Sequence, residues 1–325
     1  MKLRLQNETL LSQQAKIQEQ NIDIHFKNQR LELLNERSKS NEEVLKKAYI
    51  KLKENDQRIK EQLHTIEVSN KTLSSSINAA QTIQNAILPQ KDVLKTFIGD
   101  YLLIYKPKNI VSGDFYWFCQ YQESTFLAVL DCTGHGVPGA FMTLIGSILL
   151  DKIINVQGVT SPAEVLAQLH QEVERVLRQK ETGNINGIDI AILKISPQVD
   201  NTYVLTFSGA KRPLWYWDVQ NLALSQIQGA RRSIGGEQDE SVAFVDHHIH
   251  LSLGSLVYLF SDGFADQNDF KRRKLGEERL YSFVAGIVGL PLTQQQALLE
   301  ELLAIQMNNC EQRDDIIFLG FKLGL

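Results

Sequence analysis

The first 88 residues contain neither proline nor glycine, and an apolar side chain recurs in them at every seventh position. Ten of the eleven positions in this series are apolar, and only Ser38 interrupts it. A sustained seven-residue period is typical of helices that pair in a coiled coil. The pattern therefore predicts a coiled-coil stalk over residues 1–76. The apolar members of the series are Leu3, Leu10, Ile17, Ile24, Leu31, Leu45, Leu52, Ile59, Ile66 and Leu73.

The other core position of each heptad is often asparagine. Buried asparagine at this position favours two parallel helices in a single register and lowers the stability of the pair. We therefore expect a parallel homodimer through residues 1–88, although a single solvated helix or a helical hairpin folded at Ser38 would also fit the pattern. The asparagines are Asn7, Asn21, Asn28, Asn35 and Asn70.

A broader apolar face follows the stalk and ends at Pro89, a residue that stops helices. We expect a switch-like linker helix and a proline turn over residues 77–96, and a globular domain over residues 97–325. A stalk joined to the domain in this way can pass on a signal from an upstream sensor protein or sensor domain.

Composition narrows the class of protein. Hydrophobic and charged residues make up 43% and 22% of the chain, as in ordinary globular proteins. No uninterrupted apolar run reaches the roughly 18 residues of a membrane span, and Cys119, Cys132 and Cys310 have no paired or metal-binding spacing. Residues 89–325 carry 20 Lys/Arg against 27 Asp/Glu, which argues against a nucleic-acid partner. These features predict a cytoplasmic protein with reduced thiols and no membrane span.

The globular part has strand-like segments in blocks, joined by short turns and separated by amphipathic helices. This order predicts an α+β domain with two antiparallel sheets and helices outside each sheet. The expected strands are 101–106, 115–120, 125–131, 188–195, 203–209, 214–218, 222–228, 242–251, 256–261 and 316–323. The expected helices are 140–156, 162–179, 276–288 and 293–307.

Four aspartates stand at strand ends or turns beside small residues, namely Asp114, Asp131, Asp262 and Asp314. A single aspartate at such a place is commonly a turn or cap residue. Several carboxylates that meet in one site need cations to balance their charge. Oxygen ligands suit Mg²⁺ or Mn²⁺, and a pair of such ions can bind a phosphoryl group. We therefore predict a two-metal site built from these aspartates.

Seven motifs occur in the order found in a known family, and through them residues 77–325 resemble the PPM (PP2C-like) serine/threonine phosphatases. The resemblance is to the bacterial SpoIIE/RsbU branch. The motifs lie at residues 83–89, 106–107, 112–117, 131–142, 208–210, 260–264 and 313–316.

The resemblance implies an α/β/β/α sandwich with two divalent metals, Mn²⁺ or Mg²⁺, in a cleft at one edge. By that resemblance Asp131 bridges both metals and the Cys132 carbonyl binds one of them. Asp262 and Asp314, rather than Asp315, hold one metal, and Asp114 binds directly or through water. The implied reaction is hydrolysis of phosphoserine or phosphothreonine by metal-activated water, typically on a STAS-domain, anti-anti-sigma-like protein. His135 is a candidate general acid or phosphate contact, or it fixes the turn by hydrogen bonding.

Two other interpretations compete with this one. The loop Gly134–Gly139 formally matches a dinucleotide-binding pattern, but a second helix follows it instead of a second parallel strand. A non-catalytic module that binds a phosphoprotein or relays a signal stays open, although four carboxylates favour the enzyme.

The basic pair Lys211-Arg212 is expected to be a solvated turn.

Overall fold

The computed structural model describes residues 2–87, 89, 91–239, 241–308 and 310–324. The chain divides into two compact units, Met1–Leu73 and Ser74–Leu325, and each is considered by itself. Helix α1 covers Lys2–Ile87. The apolar heptad residues lie on its surface, with exposed fractions between 53% and 82% in the single chain. Because α1 passes through Ser38 without a break, the helical hairpin is wrong.

The second unit contains two five-stranded antiparallel sheets, which confirms the predicted fold class. The first sheet has the strand order β1-β10-β9-β6-β7 and the second has the order β2-β3-β4-β5-β8. The strands are β1 Tyr101–Lys106, β2 Asp114–Tyr121, β3 Ser124–Cys132, β4 Ile188–Pro197, β5 Thr202–Ala210, β6 Leu214–Asp218, β7 Ala223–Ile227, β8 His247–Ser252, β9 Leu256–Phe260 and β10 Ile316–Lys322.

Helices cover the outer face of each sheet. One apolar core lies between the sheets. A second lies between the β2-β3-β4 face and the helices α3 (Val137–Asp151) and α4 (Pro162–Val176). A third lies under the helices α7 (Glu277–Ile287) and α8 (Leu292–Met307). These layers form the expected α/β/β/α sandwich. The helices are α2 Lys91–Ile98, α3 Val137–Asp151, a π-helical segment Lys152–Val156, α4 Pro162–Val176, α5 Gln179–Thr182, α6 Gly263–Asp266, α7 Glu277–Ile287 and α8 Leu292–Met307.

One predicted strand is too long at its beginning. Residues 242–246 are not part of β8, which begins at His247. Asp246 instead caps α4, because its carboxylate accepts hydrogen bonds from Ser161 Oγ at 2.6 Å and from the Ala163 N–H at 2.7 Å. The first N–H groups of a helix have no acceptor within the helix. Asp246 supplies an acceptor to the start of α4 and therefore does not continue β8.

By length and composition, the helical stretch Val137–Val156 could cross a membrane, with a mean hydropathy of 1.6. The sequence argument missed it because Ser147 and other small or polar residues interrupt the apolar run. In the fold, 56% of this stretch is buried, and its buried apolar side chains pack on the β2-β3-β4 face. We therefore assign this stretch as a core helix of the globular unit and not as a membrane span.

Candidate metal centre

Three aspartates form a row across one end of the second sheet. Asp131 on β3 lies directly opposite Asp114 on β2 and directly opposite Asp189 on β4. Directly opposed residues on antiparallel strands point to the same face of the sheet, with Cβ atoms about 4.5–5.5 Å apart. The strand register therefore sets three carboxylates side by side.

The first sheet brings two more aspartates to the same place. Asp262 lies two residues after the end of β9, and Asp314 lies two residues before the start of β10, so both stand at the same end of that antiparallel pair. The resulting cavity has a volume of about 210 Å³. The structure thus brings together the four aspartates singled out in the sequence, while their role as metal ligands stays a prediction. The cavity is lined by Asp131, Cys132, Thr133, Gly134, His135, Asp189, Lys211, Ser233, Asp262 and Asp314.

Glycines allow the loops around this cavity to touch. A Cβ atom on Gly113 would lie 2.5 Å from the Gly134 carbonyl oxygen, and a Cβ atom on Gly139 would collide with the same oxygen. On the opposite sheet, a Cβ atom on Gly263 would collide with the Asp315 carbonyl. The small residues next to the aspartates are therefore needed for backbone contact.

Asp315 has a structural role that separates it from Asp314. Its side chain is 2% exposed. One carboxylate oxygen accepts the Lys108 N–H and the other accepts the Gly113 N–H, both at 2.7 Å. Asp315 thereby fixes the loop that carries Asp114, and this engagement supports Asp314 as the candidate ligand of the pair.

Burial and neighbouring negative charges disfavour the ionised form of three other carboxylates of the site, those of Asp114, Asp131 and Asp314. Burial raises the pKa of Asp114 well above its ordinary value, and the negative charges of nearby aspartates raise it further, against a hydrogen bond with Ser261 that lowers it. Burial and neighbouring carboxylates likewise raise the pKa of Asp131. Burial also raises the pKa of Asp314. Such a cluster is stabilised by added positive charge.

The donor set fits divalent cations. Asp114 is 3% exposed, and its Oδ2 is buried without a hydrogen-bond partner among the described residues. Within that part of the chain, no three His, Cys, Asp or Glu side chains are grouped tightly enough to hold an ion by themselves. Mg²⁺ commonly binds one or two carboxylates and keeps several waters, which this all-oxygen site can accommodate.

Cys132 lines the cavity, and its backbone contacts the loop that leads to Asp114. Its N–H donates to the Gly113 carbonyl at 3.1 Å, and its own carbonyl oxygen lies close to Gly113. The thiol is buried, which raises its pKa well above the ordinary value. The neutral thiol therefore leaves the carbonyl oxygen as the candidate ligand at this residue.

His135 is exposed on the rim of the cavity. Its Nδ1 lies 2.8 Å from the amide nitrogen of Asn109. Because an amide nitrogen only donates, Nδ1 accepts, and in neutral His135 the proton lies on Nε2. This contact supports a role in fixing the turn, and it leaves Nε2–H as a donor at the rim.

Sequence reasoning missed Asp189 and misjudged Arg212. The expectation that Lys211-Arg212 forms a solvated turn is wrong for Arg212, whose side chain is 13% exposed and whose Nη2 lies 2.8 Å from Asp262 Oδ2 and 3.0 Å from Asp189 Oδ2. The signal for Asp189 was one acidic residue within the apolar strand Ile188–Pro197. Strand register, which the sequence leaves open, decides that it faces the site.

Known proteins share this architecture. Over 213 residues the chain is 26% identical to phosphoserine phosphatase RsbU of Bacillus subtilis (strain 168), a match covering 63% of this chain and 58% of that protein. The chain thus spans little more than half the length of that relative. The SiaA-PP2C domain of Pseudomonas aeruginosa is 30% identical with a TM-score of 0.68, covering 79% of this chain and 99% of that domain.

A solved structure of the PP2C phosphatase domain of SpoIIE from Bacillus subtilis, with a fragment of its regulatory domain, shares the fold. Its TM-score is 0.53 at 17% identity, over 69% of this chain and 62% of that one. The family model for stage II sporulation protein E (SpoIIE) matches residues 121–324. That segment contains Asp131, Asp262 and Asp314 and exceeds half of the chain. The resemblance seen in the motifs is therefore confirmed, and the chain belongs to the SpoIIE family of PP2C-like phosphatase domains.

Proposed function

We propose that this chain is a metal-dependent protein serine/threonine phosphatase that hydrolyses phosphoserine or phosphothreonine. The observation that carries the proposal is the convergence of acidic residues from both sheets, including Asp131, Asp262 and Asp314, on one small cavity. Membership of the SpoIIE family and the likeness to a phosphoserine phosphatase support the same activity.

The site residues have distinct tasks in this proposal. Two divalent cations, Mn²⁺ or Mg²⁺, would supply the positive charge that draws a phosphoryl group in and makes water more acidic. Asp131, in the middle of the row, would hold both cations, with Asp114 on one side and Asp262 and Asp314 across the cavity. The Cys132 carbonyl would add a neutral ligand. His135 Nε2–H, at the rim, would donate to a phosphate oxygen or a leaving group, and the contact of Nδ1 with Asn109 supports this tautomer.

We further propose that the substrate is a phosphorylated STAS-domain, anti-anti-sigma-like protein. The name of the RsbU relative, a phosphoserine phosphatase, supports the phosphoserine part of this proposal. The three cysteines are free, which suits a reducing cytoplasm as the working compartment.

Regulation through the N-terminal helix is part of the proposal. Gln84 of α1 is 5% exposed, and its side chain accepts the Ser112 N–H at 3.0 Å and donates to the Ser112 carbonyl at 2.7 Å. It also donates to Thr143 Oγ1 on α3 at 3.0 Å. Since Ser112 lies two residues before Asp114, a shift of this helix end would move a candidate ligand. A dimeric stalk over residues 1–88 would deliver that shift from an upstream sensor.

Hydrolysis assays of the purified chain test the activity. We expect Mn²⁺-dependent release of phosphate from p-nitrophenyl phosphate and from a phosphoserine STAS protein, abolished by EDTA and by Asp131→Ala. A chain that binds the phosphoprotein but shows no turnover with Mn²⁺ or Mg²⁺ would contradict the proposal and favour the non-catalytic module.

A further inference from the structure

Arg212 lies against the carboxylate cluster, in the turn between β5 and β6. Its Nη2 is 2.8 Å from Asp262 Oδ2, 3.0 Å from Asp189 Oδ2 and 3.8 Å from Asp131 Oδ2. One cationic nitrogen thus contacts carboxylates of both sheets. With only 13% of the side chain exposed, water screens these contacts less than at an open surface.

The backbone around Arg212 leaves it little freedom. The Lys211 N–H donates to the Ala230 carbonyl at 2.8 Å and the Arg212 N–H donates to the Ala210 carbonyl at 2.7 Å. A Cβ atom on Gly209 would collide with the Arg212 carbonyl oxygen, and one on Gly229 would lie 2.7 Å from it. The turn therefore presents the guanidinium to the cluster in a fixed way.

Hydrogen bonds also hold the Asp189 carboxylate in position for its contact with Arg212. Its Oδ1 accepts a hydrogen bond from Ser233 Oγ at 2.5 Å, while its Oδ2 accepts from Arg212 Nη2. Arg212 also donates to Asp262 Oδ2, so the guanidinium joins one carboxylate of each sheet. The guanidinium thus occupies a position between two carboxylate oxygens, and a divalent ion can bind at such a position.

We propose that Arg212 is a resident cation of the cluster, holding Asp189 and Asp262 together where a further divalent ion would otherwise bind. The inference rests on the proposed function, in which two divalent ions occupy the cluster. Two such ions balance four of the five carboxylates at positions 114, 131, 189, 262 and 314, and the guanidinium balances the fifth. Arg212 is then a positioning residue, which limits the number of ions and fixes the direction of Asp262.

The number of Mn²⁺ ions bound per chain tests this role. We would titrate the purified full chain by calorimetry and measure its metal content after gel filtration. Arg212→Ala should bind one more Mn²⁺ than the wild type, because it exposes two adjacent oxygen donors. Arg212→Lys, which keeps the charge, should bind the wild-type number. The double variant with Asp189→Asn should return to the wild-type number, since one donor is lost.

Lys211→Ala is the matched control. Lys211 is the neighbouring cation, 3.6 Å from Asp189 Oδ1 and 49% exposed, and its removal should add no ion. The inference is overturned if Arg212→Ala binds the same number of ions as the wild type, or if Lys211→Ala gains an ion as well. If Arg212→Ala does not fold, Arg212→Gln replaces it in the experiment and should likewise bind one more Mn²⁺ than the wild type. A wild type that binds no Mn²⁺ contradicts the proposed function, while the difference between variant and wild type still decides the role of Arg212.

Discussion

At the scale of single residues, the site is a set of like charges that the fold forces together. Because folding raises the pKa of Asp114, there is a pH range above the ordinary carboxyl pKa in which Asp114 is protonated in the folded chain and ionised in the unfolded chain. The stability of the metal-free protein should therefore fall as pH rises above the ordinary carboxyl range. Divalent cations should reverse this trend, because they bind the ionised form.

Replacing Asp114 with asparagine should stabilise the metal-free protein at neutral pH, because it removes one of the repelling charges. Each kcal/mol of relieved repulsion raises Tm by about 2–4 °C. Thermal unfolding in EDTA between pH 5 and 8 measures this, and the difference between variant and wild type should shrink toward pH 5. Asp200→Asn, at an exposed turn where a hydrogen bond from Thr202 lowers the pKa, is the control and should bring no gain. An Asp114→Asn protein less stable than wild type at pH 8 in EDTA would contradict the electrostatic account.

The residues of the site were predictable to different degrees. Asp131 and Asp262 stand at strand ends beside small residues, Asp314 stands just before an apolar strand, and such positions can be recognised locally. Asp189 and Arg212 depend on which strands pair and in which register, and no local pattern carries that information. Arg212 also illustrates that a basic residue in a turn can be buried when carboxylates surround it.

At the scale of elements, close backbone contact holds the end of β9 against the start of β10, within the first sheet and beside the site. Gly263, at the start of α6, allows the approach of the Asp315 carbonyl. Strands and long helices were predictable from their hydrophobic periodicity, whereas short elements such as α6 were not, because tertiary contacts and not periodicity define them.

Gly263→Ala should destabilise the domain by about 1–3 kcal/mol or more, since the added methyl group collides with backbone that cannot move without displacing β10. Gly286→Ala is the matched control, because Gly286 lies within α7 and has open space around its missing Cβ. That change should stabilise the protein by about 0.5–1 kcal/mol through helix propensity. Urea unfolding of both variants checks the pair, and equal effects would refute the packing argument.

The end of α1 makes a second prediction at this scale. Gln84→Ala leaves buried groups of Ser112 without their partner, which costs about 1–3 kcal/mol. The same change should weaken Mn²⁺ binding, because Ser112 leads into Asp114. Asn85→Ala, at the exposed neighbouring position, should leave both quantities near wild type. Calorimetric titration with Mn²⁺ and thermal unfolding would show this, and unaltered Mn²⁺ affinity in Gln84→Ala would argue against coupling through this contact.

At the scale of the whole molecule, the apolar heptad residues from Leu3 to Leu73 are exposed in a single chain. Leu52, for example, is 67% exposed. We expect a second copy of the chain to cover these residues. Leu52→Asn should raise the dimer dissociation constant at least about tenfold, because it removes a buried apolar core contact. Lys51→Asn, outside the heptad core, should change it little. Sedimentation equilibrium measures both, and a wild type that stays monomeric at all concentrations would exclude the dimeric stalk.

The central claim is that aspartates distant in the sequence share metal ions in one site. Anomalous diffraction from a crystal of the protein grown with Mn²⁺ tests it most directly. We expect two manganese peaks about 3.5–4 Å apart, with the Asp131 carboxylate between them and Asp262 and Asp314 on one ion. Well-ordered crystals in saturating Mn²⁺ without an anomalous peak beside Asp131 would contradict it.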